Sequence, residues 1–165
     1  MLWNREYLRK LLYDTDPIKA VFELANISSS RPGRKQTDPY FDLLPCQYVV
    51  RLYLNYQGDV GNGGHSQFFM NPVGAYANET LAALRELRFQ NVTDILSRAI
   101  AVFPASHVPK DSKERNDLVE GFSEDAFTLW FQLDRELYSV SEVHWPLLQK
   151  YLQDHESEIL ELDGG

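Results

Sequence analysis

The chain has 165 residues, enough for one domain with a core of its own. With 44% hydrophobic and 13% aromatic residues its composition is globular, which excludes a disordered chain. The formal net charge of -8 is lopsided, since residues 114–165 carry 13 acidic and 3 basic side chains; that field argues against direct binding of nucleic acid and favours a basic partner.

Helical periodicity dominates from the start. Trp3, Tyr7, Leu8, Leu11 and Leu12 recur at three to four residues. Asp16-Pro17 reads as an N-cap followed by a first-turn proline, with Ile18, Val21, Phe22 and Ala25 on the next apolar face. Ser28 to Lys35 reads as a loop and is the most basic stretch of the chain. Pro45 opens a helix predicted over Cys46–Gln57. The run Gly58-Asp59-Val60-Gly61-Asn62-Gly63-Gly64 is expected to break it, with Gly63 or Gly64 at positive φ. A short aromatic helix is expected over Ser66–Met70, with Phe68 or Phe69 buried, and Asn71-Pro72-Val73-Gly74 is a second break. Helices follow over Tyr76–Phe89 and from Val92 to Phe103, then a loop from Pro104 to Lys113. Glu114–Glu120 is a short helix. Ser123 caps Glu124–Tyr138, with Phe127, Trp130, Phe131, Leu133 and Leu137 expected inward. Ser141 caps a final helix carrying Trp145, Leu148, Tyr151, Leu152 and Ile159.

No strand, low-complexity tract or fixed-period repeat is evident. The expectation is an all-α, compact single domain over residues 1–165, built from about eight to ten short helices. No apolar run approaches the roughly 20 residues of a membrane span, and Met1–Glu6 lacks the apolar stretch of a signal peptide. A cytoplasmic protein without a membrane partner is therefore expected, in which the sequons at Asn26, Asn78 and Asn91 have no bearing on glycosylation.

Residues suited to catalysis are sparse. There is no Walker loop, and Gly61-Asn62-Gly63-Gly64 lacks both the spacing and the preceding strand of a dinucleotide fingerprint. Cys46 is the one cysteine, so no internal disulfide is possible, and no base stands beside it; it reads as a packing residue. His65, His107, His144 and His155 form no ligand pair of standard spacing, and His155 with Glu158 lacks a third metal ligand. His65 beside Ser66 does not make a triad. No catalytic residue, metal site or cofactor is expected.

The segment Asn62-Gly63-Gly64-His65-Ser66-Gln67-Phe68-Phe69-Met70-Asn71 is the most distinctive. Together with Gly74 and Tyr76-Ala77-Asn78-Glu79-Thr80-Leu81-Ala82-Ala83-Leu84 it resembles the DNA-mimic protein family. Phe103-Pro104, and Leu133-Asp134 ahead of Tyr138, also match, so the resemblance spans residues 45–140. Position 65 departs from the common pattern, where an aromatic is frequent. The resemblance implies an all-helical, non-enzymatic protein whose surface carboxylates imitate DNA phosphates. Such a protein occupies the DNA-binding face of a helix-turn-helix transcriptional repressor and relieves repression; a homodimer is compatible with it.

The motif residues Asn62, Gly63, Gly64, Gln67, Phe68 and Phe69 are expected to be structural. The partner-binding carboxylates are expected among Glu114, Asp117, Glu120, Glu124, Asp154 and Glu158. Carboxylates four residues apart on a helix stand about 6 Å apart along its axis, a workable imitation of neighbouring phosphates. Like charges so spaced oppose each isolated helix by a few tenths of a kcal/mol, which marks them as candidates for function. The alternative reading is a small-molecule-binding enzyme or sensor with a pocket near Asn62–Asn71.

Overall fold

The computed structural model describes residues 3–29 and 37–163; most of the predicted basic loop, and of the break expected near 29–37, lies outside them. Among the described residues there is no strand, and the one bridge pairs Trp3 with Asp163. The all-α reading holds. The chain packs as two compact units, Met1–Arg51 with Val143–Gly165, and Leu52–Glu142.

The first unit is built on α1 (Arg5–Leu12), α2 (Pro17–Asn26), the opening turns of α3 (Pro45–Met70), α8 (His144–Asp154) and α9 (Glu156–Ile159). Asn4 caps α1 by accepting the Tyr7 N–H, and Asp16 caps α2 through Ile18 and Lys19. The inward faces carry Leu8, Leu12, Val21, Leu24, Leu148 and Leu152, each fully buried. Exposed helix ends are closed by amides. Gln149 and Gln153 of α8 both donate to Leu12 O, at 3.0 and 2.8 Å, and Gln149 also reaches Asp14 O. Gln47, wholly buried, donates to Leu24 O and Ile27 O while its own Oε1 accepts the Leu44 N–H. One side chain thus closes the end of α2 and the start of α3.

The expected single C-terminal helix is interrupted. A 3₁₀ turn over Ser141–Val143 precedes α8, and α8 ends at His155 (φ -106°, ψ 25°) before α9. His155 Nδ1 takes up Tyr151 O at 2.8 Å and its N–H bonds Leu152 O, a tightened turn that stops the helix. Ser141 does not cap; its hydroxyl donates to Tyr138 O at 3.4 Å.

The second unit holds the rest of α3, then α4 (Ala77–Glu86), α5 (Gln90–Ile100), α6 (Ser112–Glu120) and α7 (Glu124–Val140). Asp111 and Ser123 cap α6 and α7. The break predicted across Gly58–Gly64 is confined to Gly63 and Gly64; α3 runs through Gly58 and Gly61 without bending. The reason is periodicity: Tyr53, Tyr56 and Val60 stay buried at helical spacing across Gly58. A helical glycine costs only about 0.5–1 kcal/mol, less than that burial returns. The core is aromatic, with Phe69 stacked on Trp130 at 5.0 Å and Phe103 and Phe122 packed edgewise against them. Trp130 Nε1 donates to Ala99 O, linking α7 to α5. Phe127 and Phe131, expected inward with Trp130, are exposed instead, by 38% and 64%.

Candidate functional site

The glycine–aromatic segment is the kink of α3, and α7 is what it meets. Gly64 sits at φ 76°, a conformation only glycine adopts freely, as expected for Gly63 or Gly64. A Cβ there would run into the Asp134 carboxylate. The bare backbone lets Asp134 come close, and its Oδ1 accepts both the His65 N–H (2.9 Å) and the His65 ring at Nδ1 (2.5 Å). With Nδ1 carrying its proton, Nε2 is the acceptor for the Tyr56 hydroxyl at 2.8 Å. Burial, and then the charge of Asp134, push the Tyr56 phenol well above its ordinary pKa, so it stays protonated and able to donate. His65 and Tyr56 are fully buried. This carboxylate–imidazole–phenol chain is satisfied at both ends and ties the kink to α7.

The other motif residues act the same way. A Cβ on Gly63 would strike the Gln67 side chain, and Phe68 and Phe69 are buried in the aromatic core. Asn62 is exposed on the last turn before the kink. Gly74 faces Phe68 O and Phe69 O, where a Cβ would stand 2.6 Å from each oxygen. Asn71 donates to Asp59, and the Tyr138 hydroxyl to Gly61 O at 2.9 Å.

Arg115 completes this framework. It is fully buried, and it donates to Phe69 O (2.5 Å), Asn71 O (3.2 Å), Pro109 O (2.9 Å) and Lys110 O (3.0 Å). It therefore caps the C-terminal end of α3 and fixes the loop before α6. Burial lowers its pKa from the ordinary guanidinium value. Sequence reading missed Arg115 and the role of Tyr56, because neither spacing nor charge marks a buried arginine that serves carbonyls.

The acidic candidates lie elsewhere on the surface. Glu114, Asp117 and Glu120 are exposed along α6, and Glu124, with Asp125, is exposed in the first turn of α7. All belong to the second unit. Asp117 pairs with Lys113 at 2.6 Å, an exposed contact of little strength. In the first unit Asp154 is exposed and paired with Lys150. Glu158 is half-buried and accepts the Cys46 N–H at 2.7 Å, so it also serves the start of α3. Cys46 is buried, and burial followed by the Glu158 charge raises its thiol pKa, leaving it unreactive.

A groove of about 460 Å³ between α5 and α7 is lined by Gln90, Asn91, Asp94, Ile95, Glu136, Ser139 and Val140. It does not include the glycine segment. Among the described residues no three His, Cys, Asp or Glu side chains are grouped to hold a metal, and no helix is long and apolar enough to cross a membrane.

Compared with known proteins, residues 42–155 match the family model for the DMP19-like protein. No curated protein and no solved structure matches the chain.

Proposed function

The chain belongs to the DMP19-like protein family, a family of DNA mimics that is in general not enzymatic, and from that premise we propose that it displaces operator DNA from a helix-turn-helix transcriptional repressor and so relieves repression. One observation carries the reading. Glu114, Asp117, Glu120, Glu124 and Asp125 are all exposed on consecutive helices of one unit, and Arg115, the one cation among residues 114–125, is buried on carbonyls. The exposed cation on these two helix segments is Lys113, paired with Asp117, so five exposed carboxylates face one ammonium and the surface is strongly acidic. Successive members of the α6 row, three residues apart, are separated by about 4.5 Å along the axis. A repressor's phosphate-binding lysines and arginines can meet such a row without any base contact.

Exposed like charges on α6 oppose its folding, and a rigid support offsets that. Arg115, Asp111 and the aromatic core fix α6 and α7, so little ordering is left for the binding step. Asp154 and Glu158 of the first unit belong to the proposed set as a second group, with Glu158 shared between charge and helix capping.

The enzyme or sensor reading required a pocket at Asn62–Asn71. His65, Phe68 and Phe69 of that segment are buried, and the groove described above lies at other residues. The test is a gel-shift competition between the protein and operator DNA for helix-turn-helix repressors captured by pull-down. The expected result is displacement that fades as salt rises, because exposed charges are screened within about 10 Å at 0.1 M. A repressor–operator complex left intact by excess protein at low salt refutes the reading.

A further inference from the structure

Phosphate mimicry needs only charge, yet the exposed face of α7 carries two large aromatic rings beside the acidic residues. Phe127 and Phe131 are four residues apart on one face, 38% and 64% exposed. Phe127 is held edge-on against Trp130 at 5.8 Å, with its rings at 90°. Glu124 lies one turn before Phe127 and two before Phe131 on the same face, with Asp125 beside it and Glu120 at the end of α6. Arg135, four residues beyond Phe131, is the cation that closes this face on its other side.

We propose that Phe127 and Phe131 are an apolar docking step for a basic amphipathic helix of the DNA-binding partner, whose lysines and arginines meet Glu120, Glu124 and Asp125. This rests on the mimic reading and deepens it. Charge complementarity selects the occupant. Residues 112–142 hold eight acidic and three basic side chains, and Arg115 is buried, so a basic helix is attracted here. A second copy of this chain would bring the same carboxylates against one another, and like charges at an interface are selected against. Aromatic residues on rigid supports are also what interface hot spots use, because little side-chain freedom is lost on binding. The step gives the mimic what a row of phosphates lacks: an apolar contact that survives salt. The protein therefore holds its partner at ionic strengths where the operator has let go.

The test uses the full chain and a synthetic helical peptide of about 20 residues, with leucines at i, i+3, i+4 and i+7 and lysines and arginines on the flanks. A companion peptide has serine for each leucine and the same charge. Anisotropy titrations are run at about 0.1 and 0.3 M salt. The leucine peptide is expected to bind at least about tenfold more tightly than the serine peptide at the higher salt. Phe131→Ala should erase that ratio and Phe131→Leu should keep most of it, with thermal melting of both variants matching the parent. Equal binding of the two peptides, or an undiminished ratio in Phe131→Ala, overturns the docking step while leaving the charged face intact. A dimer in sedimentation that Phe131→Ala dissolves assigns the face to a second copy and also overturns it. If the serine peptide fails to bind at the lower salt, or Glu124→Lys with Asp125→Lys leaves its binding unchanged, the mimic reading itself fails and the docking step falls with it.

Discussion

Replacing Gly64 by alanine tests whether the family motif is a structural joint. The backbone there stands at φ 76°, and a left-handed conformation costs a non-glycine residue about 1–2 kcal/mol. The new Cβ must also expel the Asp134 carboxylate, which accepts the His65 N–H and the His65 ring. Losing two such bonds in a buried setting removes about 2–3 kcal/mol more. The expected loss is about 3–5 kcal/mol, a large share of the roughly 5–15 kcal/mol that holds a domain folded. Urea denaturation of parent and variant measures it. Gly61→Ala is the internal control: its Cβ meets nothing within 4 Å on a helical stretch of α3. It should gain about 0.5–1 kcal/mol, opposite in sign to Gly64→Ala. A Gly64→Ala loss below about 1 kcal/mol would falsify the joint. Unchanged melting with selective loss of partner binding would show that the kink is a binding loop.

Arg115→Lys should lose about 2 kcal/mol or more in the same assay, because an ammonium cannot span the five carbonyls the guanidinium serves, Asp111 O at 3.5 Å among them; an equally stable variant contradicts the capping role. Glu158→Ala removes the acceptor for the Cys46 N–H and a negative charge at the start of α3, so a loss of about 1–2 kcal/mol is expected, with none if the carboxylate serves only a partner. The hydrogen bonds from Arg9 and Tyr13 hold the Glu156 carboxyl below its ordinary pKa, and Lys19, then the Asp16 N–H, do the same for Asp14. Both carboxyls bind protons less readily folded than unfolded. Their stabilisation is complete above about pH 5 and fades as pH falls through the ordinary carboxylate range and below. Melting temperature should therefore drop on acidification, and less steeply in Glu156→Gln; identical slopes would contradict it.

What was readable from sequence divides along physical lines. Caps at Asp16 and Ser123 were legible because a side chain bonds a neighbour two or three residues away. The positive φ at Gly64 and the burial of Phe68 and Phe69 were legible as well. Glycine composition misled at Gly58 and Gly61, where buried Tyr53, Tyr56 and Val60 keep the helix going despite weak local propensity. Phe131 was placed inward because apolar residues are counted as core, and its exposure appears only when α7 is packed through Trp130 and Leu133. The bond from Asp134 to His65 spans 69 residues, so no local pattern could show it. The carboxylates of α6 and α7 were legible as charge, and their exposure is the part that packing added.

The central claim is that carboxylates of the second unit stand in for DNA phosphates. Its most direct test is displacement of labelled operator DNA from a captured repressor, by the parent protein and by a variant carrying Glu114→Gln, Asp117→Asn, Glu120→Gln and Glu124→Gln. These side chains are exposed and their mutual repulsion opposes α6, so the variant should melt at or above the parent's temperature. The account predicts that the parent displaces the operator and that the variant needs a concentration higher by about 100-fold or more, with a shallower dependence on salt. A variant that competes within about threefold of the parent, with the same salt dependence, contradicts it.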